Sequence, residues 1–148
     1  GENGAGNFTN EHWLPNIDGT YSLGNATYRW TEVHADNATI QNSDARLKES
    51  IQPVPLGLDF INDLNPITYK WKRKKEDKPD YTHYGIIAQE VVEILKKHGI
   101  DSLENFAGIT HDGDADTHYG ARYSEFIPIL IKAVQELSEE VKQLKEKK

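Results

Sequence analysis

Ile127, Leu130, Val134, Leu137, Val141 and Leu144 recur in alternating steps of three and four. On a continuous helix all six share one face over three heptads, with β-branched residues at a and leucine at d. Such a face has to be covered, either by the chain's own domain or by a second helix. The rest of the composition favours the second helix. Only 36% of the 148 residues are hydrophobic and 28% are charged, which fits a protein that completes its core against copies of itself. Glu140 at g and Lys145 at the following e are placed to pair between parallel helices. β-Branched a with leucine d favours two strands in isolated parallel coiled coils, so the seam does not by itself give the stoichiometry. Ser124 is a good N-cap for this helix and Pro128 suits its first turn.

Upstream of the seam the pattern is mixed. Leu56, Phe60, Ile61 and Leu64 mark one face of a short helix that Pro55 can start and Asn65-Pro66 must end. Ile67 to Trp71 reads as a strand, and the lysine-rich stretch to Pro79-Asp80 reads as a hairpin loop feeding a return strand at Tyr81 to Ile87. Ala88 to His98 carries Val91, Ile94 and Leu95 on one face, with Gly99 where a C-terminal cap belongs. Phe106 to Thr110 and Thr117 to Tyr123 flank the polar turn His111 to Asp116. An EF-hand loop begun at Asp112 would have Thr117 in place of glycine and Tyr123 in place of the bidentate glutamate, so no calcium site is assigned. His83, His111 and His118 share no metal-ligand spacing, and no metal or other cofactor is expected.

The first 42 residues differ. After the glycine-rich lead-in Gly1 to Gly6, short extended pieces are broken by the turn signals Pro15-Asn16, Asp18-Gly19 and Gly24-Asn25. Tyr28, Trp30, Glu32 and His34 alternate with Arg29, Thr31 and Val33 as in a short strand. Strands this short have too few local partners to stand alone. They read either as a small β-appendage or as the end of a β-stalk completed by other chains. The net charge of −7 divides between the two regions: residues 1–42 hold one basic and five acidic groups, the remainder sixteen and nineteen. Neither has the basic excess of a nucleic-acid binder. The six basic residues from Lys70 to Lys78 are interleaved with Glu76 and Asp77 and read as a solvated hairpin tip. No apolar run approaches the length of a membrane span, so no membrane partner is expected. There is no cysteine and no methionine, even at position 1, which reads as a fragment of a longer protein.

At the junction lies Asn42-Ser43-Asp44-Ala45-Arg46-Leu47-Lys48. A serine hydroxyl is a poor nucleophile unless a base takes its proton, and a lysine is a base only when neutral. An exposed lysine near pKa 10.4 is neutral in roughly one molecule in a few thousand at pH 7, and desolvation raises that fraction. An offset of five puts Ser43 and Lys48 on opposite faces of a strand and well apart around an α-helix. Either the chain turns between them or the lysine serves a serine on another subunit. Both position and neutrality are therefore expected to require the assembled state. Spacing alone is a weak signal, because serine and lysine fall five apart by chance in most proteins.

The surrounding residues add a resemblance. Ser-Asp-x-Arg-x-Lys followed by Ile51, Gly85-Ile86-Ile87-Ala88-Gln89-Glu90, and Tyr123-Ser124-Glu125-Phe126-Ile127-Pro128 through Glu136-Leu137 resemble the C-terminal intramolecular chaperone domain of phage endosialidases, tailspikes, neck appendages and tail fibres. Leu23-Gly24 with Arg29-Trp30 resembles the segment common at the ends of such fibres. The resemblance implies an α+β chain: residues 1–42 as the end of a trimeric β-structured fibre, and residues 43–148 as a mixed helix/strand chaperone ending in a long coiled-coil-like helix, the whole an intertwined homotrimer. It implies that the domain assists folding of the upstream fibre. It then releases itself by cleavage of the Asn42–Ser43 bond, with Ser43 as nucleophile and Lys48 as base. Asp44 and Arg46 match the motif and are expected to fix the turn, for example as a salt bridge, while backbone donors near Asp44 or Leu47 would hold the oxyanion. The implied location is the virion tail, with the chaperone released in the host cytoplasm. The competing class is a non-cleaving trimerisation or receptor-binding fibre tip, in which Ser43 and Lys48 are ordinary linker residues.

Overall fold

Phe60 has no solvent exposure, and Val91 and Leu95 have almost none. The elements downstream of residue 43 are arranged around these side chains. The computed structural model describes residues 6–8, 12–25, 28–30, 32–37, 40–72, 80–111 and 118–147. The lead-in at 1–5, the basic hairpin tip at 73–79 and the aspartate-rich turn at 112–117 lie outside the described residues. The chain divides into two compact units, Gly1–Asn42 and Ser43–Lys148.

In the first unit, β1 (Gly6–Phe8) pairs antiparallel with β2 (Trp13–Pro15), Gly6 opposite Pro15. Turns follow at Asp18-Gly19 and at Gly24-Asn25, where the Asn25 side chain accepts the Tyr28 N–H at 2.7 Å. The strand predicted over Tyr28 to His34 does not form among the described residues. Alternation places side chains on two faces, but a strand also needs a neighbouring edge for its backbone groups. Trp13, Leu14, Ile17, Leu23, Tyr28, Trp30, Val33 and Ile40 are all exposed.

In the second unit, α1 (Leu58–Asp63) is followed by the hairpin β3 (Ile67–Tyr69) and β4 (His83–Gly85), Ile67 opposite Gly85. Pro66 has no N–H to give, so the ladder begins after it. Next come α2 (Ala88–Lys97), the short pair β5 (Ile109–Thr110) and β6 (Gly120–Ala121), and α3 (Ile127–Glu146). Each predicted strand is present but shorter than its apolar run. Helix α2 ends with the Ile100 N–H on the Leu95 carbonyl and the Gly99 N–H on the Lys96 carbonyl, Gly99 lying at φ +81°. This left-handed cap is what the glycine is for. Helix α3 begins at Ile127, after a 3-10 turn over Tyr123–Phe126, and not at a Ser124 cap as the sequence predicts. Pro128 sits in its first turn, where a missing N–H leaves no helical bond unmade.

Leu56, Phe60, Val91, Leu95, Phe106, Ile109, Phe126 and Ile129 form one core. Phe106 packs edge-on against both Phe60 and Phe126, with ring centroids 6.3 and 5.5 Å apart. His98 packs edge-on against Phe60 and bonds Asp63 at 2.7 Å, closing α2 onto α1. Lys97 bonds the same carboxylate, and these two partners, lysine first, hold Asp63 below its ordinary pKa. No helix among the described residues is long and apolar enough to cross a membrane. Removing the fully enclosed ring at the centre, Phe60→Ala, should lower stability by about 3–5 kcal/mol, read from the urea midpoint of the full chain. A loss below about 1 kcal/mol would mean that Phe60 is not the centre of the core.

Candidate functional site

Asp44 makes the turn that the junction needs. Its carboxylate accepts the Arg46 backbone N–H at 2.9 Å, capping a single 3-10 turn over Ala45–Leu47. The same carboxylate receives the Arg46 guanidinium through Nε at 3.1 Å and Nη2 at 2.6 Å. The Leu47 N–H closes on the Asp44 carbonyl and the Lys48 N–H on the Ala45 carbonyl, after which Lys48 leaves in extended conformation. This single turn bends the chain between Ser43 and Lys48, and Lys48 Nζ lies 2.9 Å from Ser43 Oγ.

The two groups thus meet within one chain, and no second subunit is needed to bring them together. That corrects the expectation that position as well as neutrality depends on assembly. Both residues are exposed, however, along with Leu47 and Ile51 beside them. In this contact Lys48 Nζ donates to Ser43 Oγ; base catalysis requires the reverse, with the serine O–H donating to a neutral amine. The turn also limits the oxyanion donors, because the Leu47 N–H is committed to the Asp44 carbonyl at 3.0 Å.

The predicted seam is a separate face. Ile127, Leu130, Val134, Leu137, Val141 and Leu144 are each between 41% and 64% exposed, whereas Ile129 and Ala133 of the same helix are buried in the core. Helix α3 therefore does not spend its a/d face on its own domain. Ile131, exposed at position e, widens the stripe and was not part of the predicted seam. On the domain side, Lys132 Nζ donates to the Val54 carbonyl and Glu136 accepts the Leu58 N–H, each at 2.7 Å. These contacts span 78 residues, and no local spacing signals them. His83 stacks on Tyr69 and His111 on Tyr119. Among the described residues no group of His, Asp and Glu side chains is placed to hold a metal ion.

Residues 43–100 match a peptidase-class family described as "Chaperone of endosialidase". The chain is 32% identical over 94 residues to the tail spike protein of Escherichia virus K5, an alignment covering 60% of this chain and 15% of that protein. It is 28% identical over 96 residues to the side tail fiber protein pb1 of Escherichia phage T5, covering 62% of this chain and 7% of that protein. Over 127 residues it is 28% identical to the long tail fiber protein Gp37 of Enterobacteria phage K3, covering 81% and 9% respectively. The chain thus spans at most 15% of the length of these relatives. Its fold matches the carboxy-terminal domain of the bacteriophage T5 L-shaped tail fiber with its intramolecular chaperone domain, with a TM-score of 0.68 and 20% identity. That match covers 89% of this chain and 38% of that one. The resemblance to the intramolecular chaperones of phage tail proteins is a finding, and the fold is theirs: mixed helix and strand, ending in one long helix.

Arg46, through its side chain first and its backbone N–H second, holds the Asp44 carboxyl below its ordinary value. A depressed folded-state pKa gives stabilisation that is full above the unfolded-state value and is lost as pH falls through the folded one. The turn should thus be fully stabilised at neutral pH, weaken as pH falls below the ordinary carboxylate value, and open as the depressed value is passed. Amide exchange at Arg46 reads this, and Asp44→Ala should remove the protection at every pH. Equal protection in that variant would show that the turn does not depend on Asp44.

Proposed function

We propose that this chain, whose residues 43–100 match the chaperones of endosialidase, is the C-terminal end of a phage tail fibre or tailspike together with its self-releasing intramolecular chaperone. In this reading residues 1–42 end the trimeric β-stalk. Residues 43–148 trimerise, assist folding of the stalk, and then cut the Asn42–Ser43 bond once. The observation that carries the reading is the 2.9 Å contact between Lys48 Nζ and Ser43 Oγ, formed immediately after the boundary between the two compact units.

The reaction follows from that contact. Neutral Lys48 takes the Ser43 hydroxyl proton as Oγ attacks the Asn42 carbonyl carbon, giving a tetrahedral oxyanion. Collapse breaks the C–N bond, the proton passes from Lys48 to the departing Ser43 amine, and Asn42 is left as an ester on Oγ. Water then hydrolyses the ester, freeing the Asn42 carboxylate and restoring the hydroxyl. No co-reactant other than water is consumed. The nucleophile and the bond belong to one chain, so each site turns over once.

Assembly supplies what a single chain lacks. The side chains of the α3 seam and the large hydrophobic side chains described over residues 12–40 are each at least 41% exposed, and completing the burial of each gains a part of the about 1.5–3 kcal/mol that full burial is worth. Leu47 and Ile51, exposed in the same segment, are apolar side chains that a neighbouring chain can cover, removing water from Lys48. Cleavage would then report completed assembly. The stalk would remain in the virion tail and the chaperone would be released in the host cytoplasm. A fibre tip that assembles and never cleaves would show the same seam.

Mass spectrometry of the freshly expressed chain separates the two. Fragments 1–42 and 43–148 are expected from the wild type, and only the intact chain from folded Ser43→Ala and Lys48→Ala. A fragment beginning at Ser43 in the Lys48→Ala protein would remove lysine from the mechanism. An intact wild-type chain would support the non-cleaving tip.

A further inference from the structure

We propose that Gly57, Lys132 and Glu136 are positioning residues for the Ser43–Lys48 pair: they strap the segment carrying the pair onto the helix that carries the association seam. The inference rests on the cleavage reading above and adds to it a physical link between assembly and the reacting groups.

The link begins with the segment between Lys48 and α1, which has no regular structure of its own but is restricted at several positions. Ser50 lies at φ +50°, in a region that few L-residues enter, and Pro53 and Pro55 lock their own φ angles. Holding the far end of such a segment restricts where its near end can go. The far end is held twice by α3. Lys132 Nζ donates to the Val54 carbonyl at 2.7 Å, Glu136 Oε2 accepts the Leu58 N–H at 2.7 Å, and the two side chains pair at 3.4 Å.

The local sequence makes this tie depend on α3. Helix α1 has Gly57 at its N-cap position and no side-chain cap of its own. A serine or aspartate there would satisfy the first N–H groups locally. Instead the missing side chain admits Glu136, because a Cβ on Gly57 would collide with the Glu136 carboxylate. That carboxylate comes from between Val134 and Leu137, two residues of the exposed seam. Whatever fixes the seam against neighbouring chains therefore also fixes Glu136, and through Val54 to Leu58 the placement of the dyad turn. The turn's internal geometry comes from Asp44 and Arg46; the strap decides whether the turn lies where the assembly can cover it.

The test uses the full chain and follows cleavage and sedimentation together. Glu136→Ala and Gly57→Ala should each slow cleavage by tenfold or more in chains that still assemble. A turn that is covered less completely leaves Lys48 more hydrated, and desolvation changes the neutral fraction of a lysine by about tenfold or more. The double variant should be no slower than the slower single one, because both remove one contact. Glu136→Gln, which keeps an acceptor for the Leu58 N–H, should stay within about threefold of wild type by the same reasoning. Wild-type rates in assembled Glu136→Ala, or fully multiplicative effects in the double variant, would overturn the strap while leaving the cleavage reading intact. So would loss of assembly in both single variants, which would make the contact purely structural. A wild-type chain that never cleaves would instead sink the cleavage reading. Amide exchange at Leu47 and Lys48 in the assembled Ser43→Ala chain then decides the strap: faster exchange on adding Glu136→Ala supports it, and unchanged exchange overturns it.

Discussion

Helix α3 is held from one side. Phe126, just before it, and Ile129 and Ala133 within it close the core over Phe60 and Phe106, and Lys132 and Glu136 tie the same side to residues 54–58. This packing fixes which face of the helix turns outward, and the outward face is the heptad stripe from Ile127 to Leu144. A helix that were amphipathic in one direction only would either complete the domain or join it to others. This one does the first and remains able to do the second. The same division runs through the chain, with a small filled core after residue 43 and exposed aromatic and aliphatic side chains before it.

The junction follows a similar division. The meeting of Ser43 and Lys48 is a local property, made by a capping aspartate, an arginine that pairs with it, and one 3-10 turn. A neutral lysine is not a local property, because nothing within the exposed turn removes water from it. In the proposed mechanism this separation is useful. A reacting pair that is already in place but solvated can wait through synthesis and folding, and then respond to a single change, the covering of Lys48 by neighbouring chains.

Much of the domain was legible from its periodicity and punctuation. Val91, Ile94, Leu95 and Gly99 specify α2 and its left-handed cap, because a stripe at helical spacing and a glycine at C′ are local signals. Asn65-Pro66 marked the end of α1 for the same reason. The seam was legible as a pattern, and the structure added that its face is free of the core. Three features were legible in part or not at all. For the Ser43–Lys48 contact the spacing left two alternatives, a turn or a pairing between subunits, and the structure contains the turn, with the Asp44–Arg46 pair expected to fix it. The strand expected at Tyr28 to His34 has alternation but no partner strand among the described residues. The ties from Lys132 and Glu136 join positions 78 residues apart, and only Gly57, a glycine at a helix start where a capping side chain would serve better, hinted at a visitor.

The proposed mechanism builds geometry into each chain and leaves assembly to supply the neutral lysine. It is tested most directly by the pH profile of cleavage in a chain that cannot assemble, made with Val134→Asp and Val141→Asp, where like charges in one seam oppose burial. At neutral pH this monomer should remain intact while the wild type cleaves. As pH is raised, the monomer should begin to cleave at the Asn42–Ser43 bond, because hydroxide removes the lysine proton that desolvation would otherwise displace and the 2.9 Å contact is already present. Rapid cleavage by the monomer at neutral pH, or no cleavage by the folded monomer at any pH, would contradict the account.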